Sequence, residues 1–264
     1  MTSIEKKHPK VIFTFGRFQP PTIGHKVLID KIAELASPLA LAFSEKANEK
    51  TNADAQADAY VFVSSKQNDM TKYKASKAYK EMKSTGTFKS TDLNENPLPV
   101  DLKVETLKKM YPDSPVTFID TTVEKCPQLF NIVDKLRSAG YTDITMGVGS
   151  DRVETFTKVF KGSINVISLG ERTVNASNMS AKAMSGTKMR EAAIASNVEG
   201  FLKGVMIGSM TREDGLRLMN TIRGSLEYPP LETGGKRKTR GRRVKIIRAR
   251  RAKTYKLRDD EKFE

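Results

Sequence analysis

Two groups of side chains in this sequence have the types and spacing to act on phosphate. The first is Thr22, Gly24 and His25, which follow Pro20 and Pro21 and open an apolar-periodic segment carrying Val27, Leu28, Ile32 and Leu35. Gly16, Arg17 and Phe18 precede them, at the end of the β-branched and aromatic run Val11 to Phe15. The second is Ser185, Thr187 and Arg190, at the start of a later helical pattern. An imidazole, hydroxyls and a guanidinium at helix starts all donate hydrogen bonds to anions, and the unpaired N–H groups of a first helical turn add to them. Glycine at a strand end lets backbone approach a ligand closely, and two prolines stiffen the loop.

Such groups work only if strands and helices aim them at one place. Strand-like runs recur at Val11 to Phe15, Tyr60 to Ser64, Val116 to Asp120, Ile144 to Val148 and Ile164 to Leu169. Helical patterns cover Gly24 to Ala36, Val100 to Met110, Leu129 to Ala139, Ser150 to Val159, Ser185 to Ser196 and Arg212 to Leu226. Alternation of this kind predicts an α/β fold, a Rossmann-like, doubly wound parallel sheet with helices on both faces. Sites in such folds lie at the carboxyl ends of the strands, where Gly16, Ser64, Gly147 and Gly149 fall. The stretch Ser37 to Ala59 has no clear pattern, and residues 70–95 read as an exposed insertion ahead of Asn96-Pro97. The expected organisation is one domain over 1–205, a helical extension over 206–232 and a basic tail over 233–264.

The chain has 264 residues, 38% of them hydrophobic, enough for a substantial core. Its net charge of +15 is unevenly spread. Thr233 to Glu264 holds fourteen Lys and Arg against four Asp and Glu, so +10 belongs to the tail and +5 to the rest. Lys236 to Arg258 is basic without one acidic residue, and reads as disordered, with Ile246, Ile247 and Tyr255 able to order on a partner. Nucleic acid or another polyanion is the partner expected there. A single cysteine, Cys126, excludes an intrachain disulfide and a cysteine-based zinc site. No stretch approaches the length of a membrane span, and an intracellular, by default cytoplasmic, setting is expected.

Gly16-Arg-Phe-Gln-Pro-Pro-Thr-Ile-Gly-His25 resembles the first signature of the nucleotidylyltransferase superfamily, G-x-F-x-P-x-H/T-x-G-H. The Gly-Arg-Phe-Gln-Pro form is similar to that of nicotinamide mononucleotide adenylyltransferases and related viral and phage proteins. Met184-Ser-Gly-Thr-Lys-Met-Arg190 resembles the second signature, I-S-S-T-x-x-R, with Gly186 in place of the second Ser. Gly147-Val-Gly-Ser-Asp151 is similar to a G-x-D segment near nucleotide ribose or metal. Asn96-Pro-Leu-Pro-Val-Asp-Leu-Lys103 resembles the family's N-P helix start with a basic residue.

The resemblance covers roughly Lys10 to Phe201 and implies transfer of a nucleoside monophosphate from a triphosphate to a phosphomonoester, with release of pyrophosphate. It implies that His25 donates to the phosphate where charge builds up, with Thr22 adding a hydroxyl. It further implies that Ser185, Thr187 and Arg190 hold the outer phosphates and that Gly16, Arg17, Phe18, Gly24 and Asp151 line the nucleotide. Ser64, Lys66 and Lys103 fall on the acceptor side. Magnesium is expected to arrive with ATP rather than on protein ligands. Read without the resemblance, Asp151 serves equally as a helix cap, and Arg17 and Lys66 as surface charges. A cytidylyltransferase for an alcohol phosphate is the nearest alternative. An inactive fold acting through its tail as a nucleic-acid-binding or assembly factor is the alternative of a different class.

Overall fold

The computed structural model of the protein describes residues 3–37, 56–67, 96–170 and 184–231, together with the isolated residues 75, 77, 80 and 84. The tail, most of the insertion at 70–95 and the apolar piece Leu39 to Phe43 lie outside the described residues. Five strands form one parallel sheet: β1 (Lys10–Gly16), β2 (Ala57–Val63), β3 (Thr117–Asp120), β4 (Asp143–Val148) and β5 (Asn165–Ser168), in the order β3-β2-β1-β4-β5.

Strand side chains alternate between the two faces, as a period of two requires. Val11, Phe13, Tyr60, Phe62, Ile119 and Ile144 enter one core. Ile12, Ala59, Val61, Val63 and Phe118 enter the other. The helices α1 (Lys26–Ala36) and α2 (Val100–Met110) bury Ile29, Ile32, Val104 and Leu107 in the second of these cores. On the opposite face, α3 (Leu129–Ser138) and α4 (Val153–Phe160) contribute Ile132, Val133, Leu136 and Phe160 to the first. The sheet is therefore wound in both directions from β1. It reverses between β1 and β4, and β1 and β4 pair from Lys10 with Asp143 to Phe13 with Met146. In doubly wound sheets ligands bind outside the carboxyl ends of the strands at such a reversal, here the ends of β1 and β4.

Three C-terminal helices follow: α5 (Gly186–Ile194), α6 (Val198–Val205) and α7 (Arg212–Ser225). Met189, Ala193, Phe201, Val205, Leu218 and Ile222 share a core with Leu98 and Leu102. A boundary at residue 205 would cut that core, and Met1–Thr233 forms one compact unit. The helical extension is part of the body. Thr211 and Asp214 form a capping box at the start of α7, Asp214 Oδ1 lies 2.6 Å from Lys109 Nζ, and the Lys109 ammonium holds the Asp214 carboxyl down at about 2.

Two elements differ from the sequence reading. β2 begins at Ala57, inside a stretch without a clear pattern, because Asp58 accepts from Lys7 N–H (2.8 Å), His8 N–H (3.1 Å) and Tyr141 O–H (2.7 Å). An acidic residue inside a strand is then satisfied by partners remote in sequence. The helix expected over Ser185 to Ser196 ends at Ile194, passes through Ser196 at φ +58°, and is followed by α6. Asn197 caps α6, its side chain accepting from Gly200 N–H at 2.9 Å, and this Asn ahead of Val198, Phe201 and Leu202 is a start signal present in the sequence.

Candidate active site

The loop after β1 is built around His25. Residues Ile23–His25 make one 3₁₀ turn ahead of α1, and Thr22 and His25 close a reciprocal box across it. Thr22 N–H donates to His25 Nδ1 at 3.0 Å, and Thr22 Oγ1 lies 3.2 Å from the same nitrogen. A backbone N–H can only donate, so Nδ1 accepts, and a neutral ring then carries its proton on Nε2. The 3.2 Å contact from Nδ1 to Thr22 O would need the other tautomer, but that carbonyl already receives His25 N–H at 3.0 Å. The neutral ring therefore carries its proton on Nε2, on the side of the ring away from Thr22. Thr22 is 1% exposed, so its hydroxyl orients the imidazole and is not open to a ligand.

Phe18 lies against the His25 ring, with centroids 4.8 Å apart and planes tilted by 53°. It is buried and sits at φ +48°, the left-handed region, a conformation that surrounding packing must impose. Gly16 is required by this ring, because a Cβ there would lie 2.6 Å from Phe18 Cε2. The side-chain direction of Gly16 is thus filled by the Phe18 ring, and Phe18 itself packs as core against the histidine.

Gln19 occupies the centre of the loop. Its Nε2 donates to Leu98 O at 3.1 Å and its Oε1 accepts from Leu98 N–H at 3.0 Å. From α5, Arg190 Nη1 donates to Gln19 O at 2.5 Å, and Nη2 donates to Thr187 Oγ1 at 3.3 Å. Arg190 is 7% exposed. It was expected on the outer phosphates, yet its guanidinium is turned onto the β1–α1 loop, where burial makes a carbonyl partner obligatory. Gly186 belongs to the same contact: a Cβ there would lie 2.7 Å from Gln19 O, so a Ser at this position would push the helix off the loop. Ser185 is exposed and caps α5, accepting from Lys188 N–H at 3.3 Å.

Lys103, expected on the acceptor side, is 0% exposed. Its ammonium donates to Arg17 O (3.1 Å) and Ser64 O (2.5 Å), tying the chain leaving β1 to the chain leaving β2. Burial pushes it down to about 8, and Asp120 opposes that fall. Arg17 and Lys66 are exposed at these two strand ends, and Ser64 Oγ accepts from Lys66 N–H at 3.2 Å. Thr121, unnoticed in the sequence, is buried and links Val63 O (2.9 Å) to Ser65 N–H (3.1 Å) through its hydroxyl. Gly24 is exposed beside His25. Asp151 stands exposed on a 3₁₀ turn at the end of β4, with Arg152 Nε at 3.8 Å, and Gly149 takes the cap position of that turn.

The chain thus brings Gly16, Phe18, Thr22 and His25 into one loop, joins Arg190 and Thr187 to it, and joins Lys103 to Arg17 and Ser64. Asp151 follows β4, the strand beside β1. Two cavities, of about 510 and 500 Å³, lie elsewhere: one by Ala36, Asp58 and Thr117 at the amino ends of the strands, the other by Met184, Ala192 and Lys203 along α5 and α6. Among the described residues no group of three or more His, Cys, Asp or Glu is placed to hold a metal ion, and no helix is long and apolar enough to cross a membrane. No family model, curated protein or solved structure matches the chain.

Lys103 has a stability consequence with a definite sign. Its folded value lies below the ordinary 10.5, so between about pH 8 and pH 10.5 the unfolded chain holds more protons, and this group's contribution to stability rises with pH. The denaturant-derived stability of the wild type relative to Lys103→Met should rise by about 2 kcal/mol from pH 7.5 to pH 10. A constant difference would mean that the ammonium is solvated.

Proposed function

We propose that this protein is a nucleotidylyltransferase that transfers AMP from ATP to a phosphomonoester such as nicotinamide mononucleotide and releases pyrophosphate. The observation that carries this reading is the Thr22–His25 box, which fixes the imidazole, with its proton on Nε2, in the loop at the carboxyl end of β1. In the proposed reaction an acceptor phosphate oxygen bonds to the α-phosphorus, the bond from that phosphorus to the bridging oxygen breaks, and pyrophosphate leaves with magnesium. Such transfers need alignment and charge stabilisation more than covalent participation. In this reading His25 donates where charge grows on the α-phosphate, while the exposed Ser185 and the first N–H groups of α5 serve the outer phosphates.

One observation favours a second reading, a fold that binds nucleotide without turnover: Arg190 and Thr22 both spend their donors on the protein itself. The deciding experiment incubates the protein with magnesium, each of the four ribonucleoside triphosphates and a panel of phosphomonoesters, and measures pyrophosphate. Magnesium-dependent release with ATP preferred is expected. A preference for CTP moves the assignment to a cytidylyltransferase, and no release with any acceptor supports the binding protein. The chain ending at Glu232 should retain turnover while losing affinity for a polyanion that, in the full chain, falls steeply with salt.

A further inference from the structure

The two groups singled out in this sequence lie far apart along the chain, and in the fold they meet at Gln19, whose carbonyl receives Arg190. Gln19 is 5% exposed and its amide pairs with both main-chain groups of Leu98, as a neighbouring strand would. Its own carbonyl receives Arg190 from α5, and Gly186 allows the helix start to come down onto that carbonyl. Phe18, its neighbour, carries the ring on which His25 rests. Three chain segments are therefore held at one residue: the His25 loop, the approach to α2, and the first turn of α5.

We propose that Gln19 is a positioning residue that fixes the His25 donor relative to the N-terminus of α5, a role that rests on the nucleotidylyltransferase reading of the site. The geometry singles out this side chain because the amide is used as a bidentate peptide mimic. One arm must donate to Leu98 O and the other accept from Leu98 N–H, which a carboxylate or an aliphatic group cannot do together. Loss of the pair leaves a buried carbonyl and a buried N–H, and the segment ahead of α2 parts from the loop. The loop then keeps its Arg190 bond to α5 but loses its bond to Leu98, which shares a core with α5, so its distance from α5 is no longer held by that second fixed point.

The test compares wild type, Gln19→Leu and Gln19→Glu on two independent readouts. In steady-state pyrophosphate release, both variants should lose about 10- to 100-fold in kcat with the ATP KM within about threefold, because misplaced groups forfeit transition-state alignment more than ground-state binding. In amide hydrogen exchange, peptides covering 96–103 and 185–194 should both exchange at least about tenfold faster, since one junction holds both segments. Gln19→Asn, which keeps the chemistry but is one methylene short of Leu98, should behave as the other two. Folded variants with kcat within twofold of wild type overturn the positioning role, and so does faster exchange confined to 96–103. If the wild type releases no pyrophosphate, the functional reading fails, and exchange alone then decides whether Gln19 couples the two segments.

Discussion

Replacing His25 with Ala is expected to lower turnover by about 10²- to 10³-fold while the ATP KM changes little, the usual cost of losing one preorganised donor that acts mainly in the transition state. The geometry allows a sharper version. Nδ1 is committed to Thr22 N–H, so the proposed chemistry belongs to Nε2 alone. In His25→Asn a side-chain oxygen takes the place of Nδ1 and keeps the turn closed, but nothing stands where Nε2–H was. His25→Gln reaches further and returns an N–H donor close to the Nε2 position. Asn should therefore be nearly as damaging as Ala, with a melting temperature near that of wild type, and Gln should recover about tenfold over Asn. Near-normal turnover in a folded His25→Asn protein would remove His25 from the chemistry.

The second large effect concerns stability. Arg223 on α7 is 4% exposed, and its Nη1 donates to Ala193 O (2.7 Å), Ile194 O (3.2 Å) and Ser196 Oγ (2.8 Å). Its Nε donates to Pro229 O at 2.9 Å, and the guanidinium carbon lies 5.6 Å from the Tyr228 ring centroid. The last carbonyls of α5 are thus capped by a cation from another helix, which suits the negative end of the helix dipole. Arg223→Ala leaves those carbonyls buried without their donor and removes the packing of a long side chain. A loss of about 3 kcal/mol is expected, seen as a fall of about 6–12 °C in melting temperature. Arg223→Lys should restore only part, since an ammonium cannot reach the whole fan of acceptors. A fall under 2 °C for the Ala variant would show that water replaces the guanidinium.

Most of the scaffold was legible because its signals are local. Val11 to Phe15 and Ile144 to Val148 read as strands from β-branched and aromatic content, and the alternation with helices is enough to specify a parallel sheet. Asp58 broke the pattern of β2, since its satisfaction comes from Lys7, His8 and Tyr141, which only the folded chain brings near. The loop after β1 and the start of α5 were legible in the sequence as a strand end and helix starts, but the direction of the cations around them was not. A sequence shows that Lys103 and Arg190 are present. It does not show that the carbonyls of Arg17, Ser64 and Gln19 claim them, because a carbonyl is an acceptor at every position and leaves no mark in residue type. Thr121 and Gln19 escaped for the same reason, each bonding to main chain far away.

The bond from Arg190 to Gln19 joins residues 171 positions apart. On the ribosome the His25 loop emerges before the helix that anchors it, which is made only after β5, and Arg223, which caps that helix, follows later still. Contacts of such long range form late, after loop closure has been offset by the rest of the core. A nascent chain halted before α5 would carry a paired sheet and an unanchored loop. The loop then takes its anchored position only once α5 and α7 have been made, and under the proposed function chains halted before them would stay silent toward substrate.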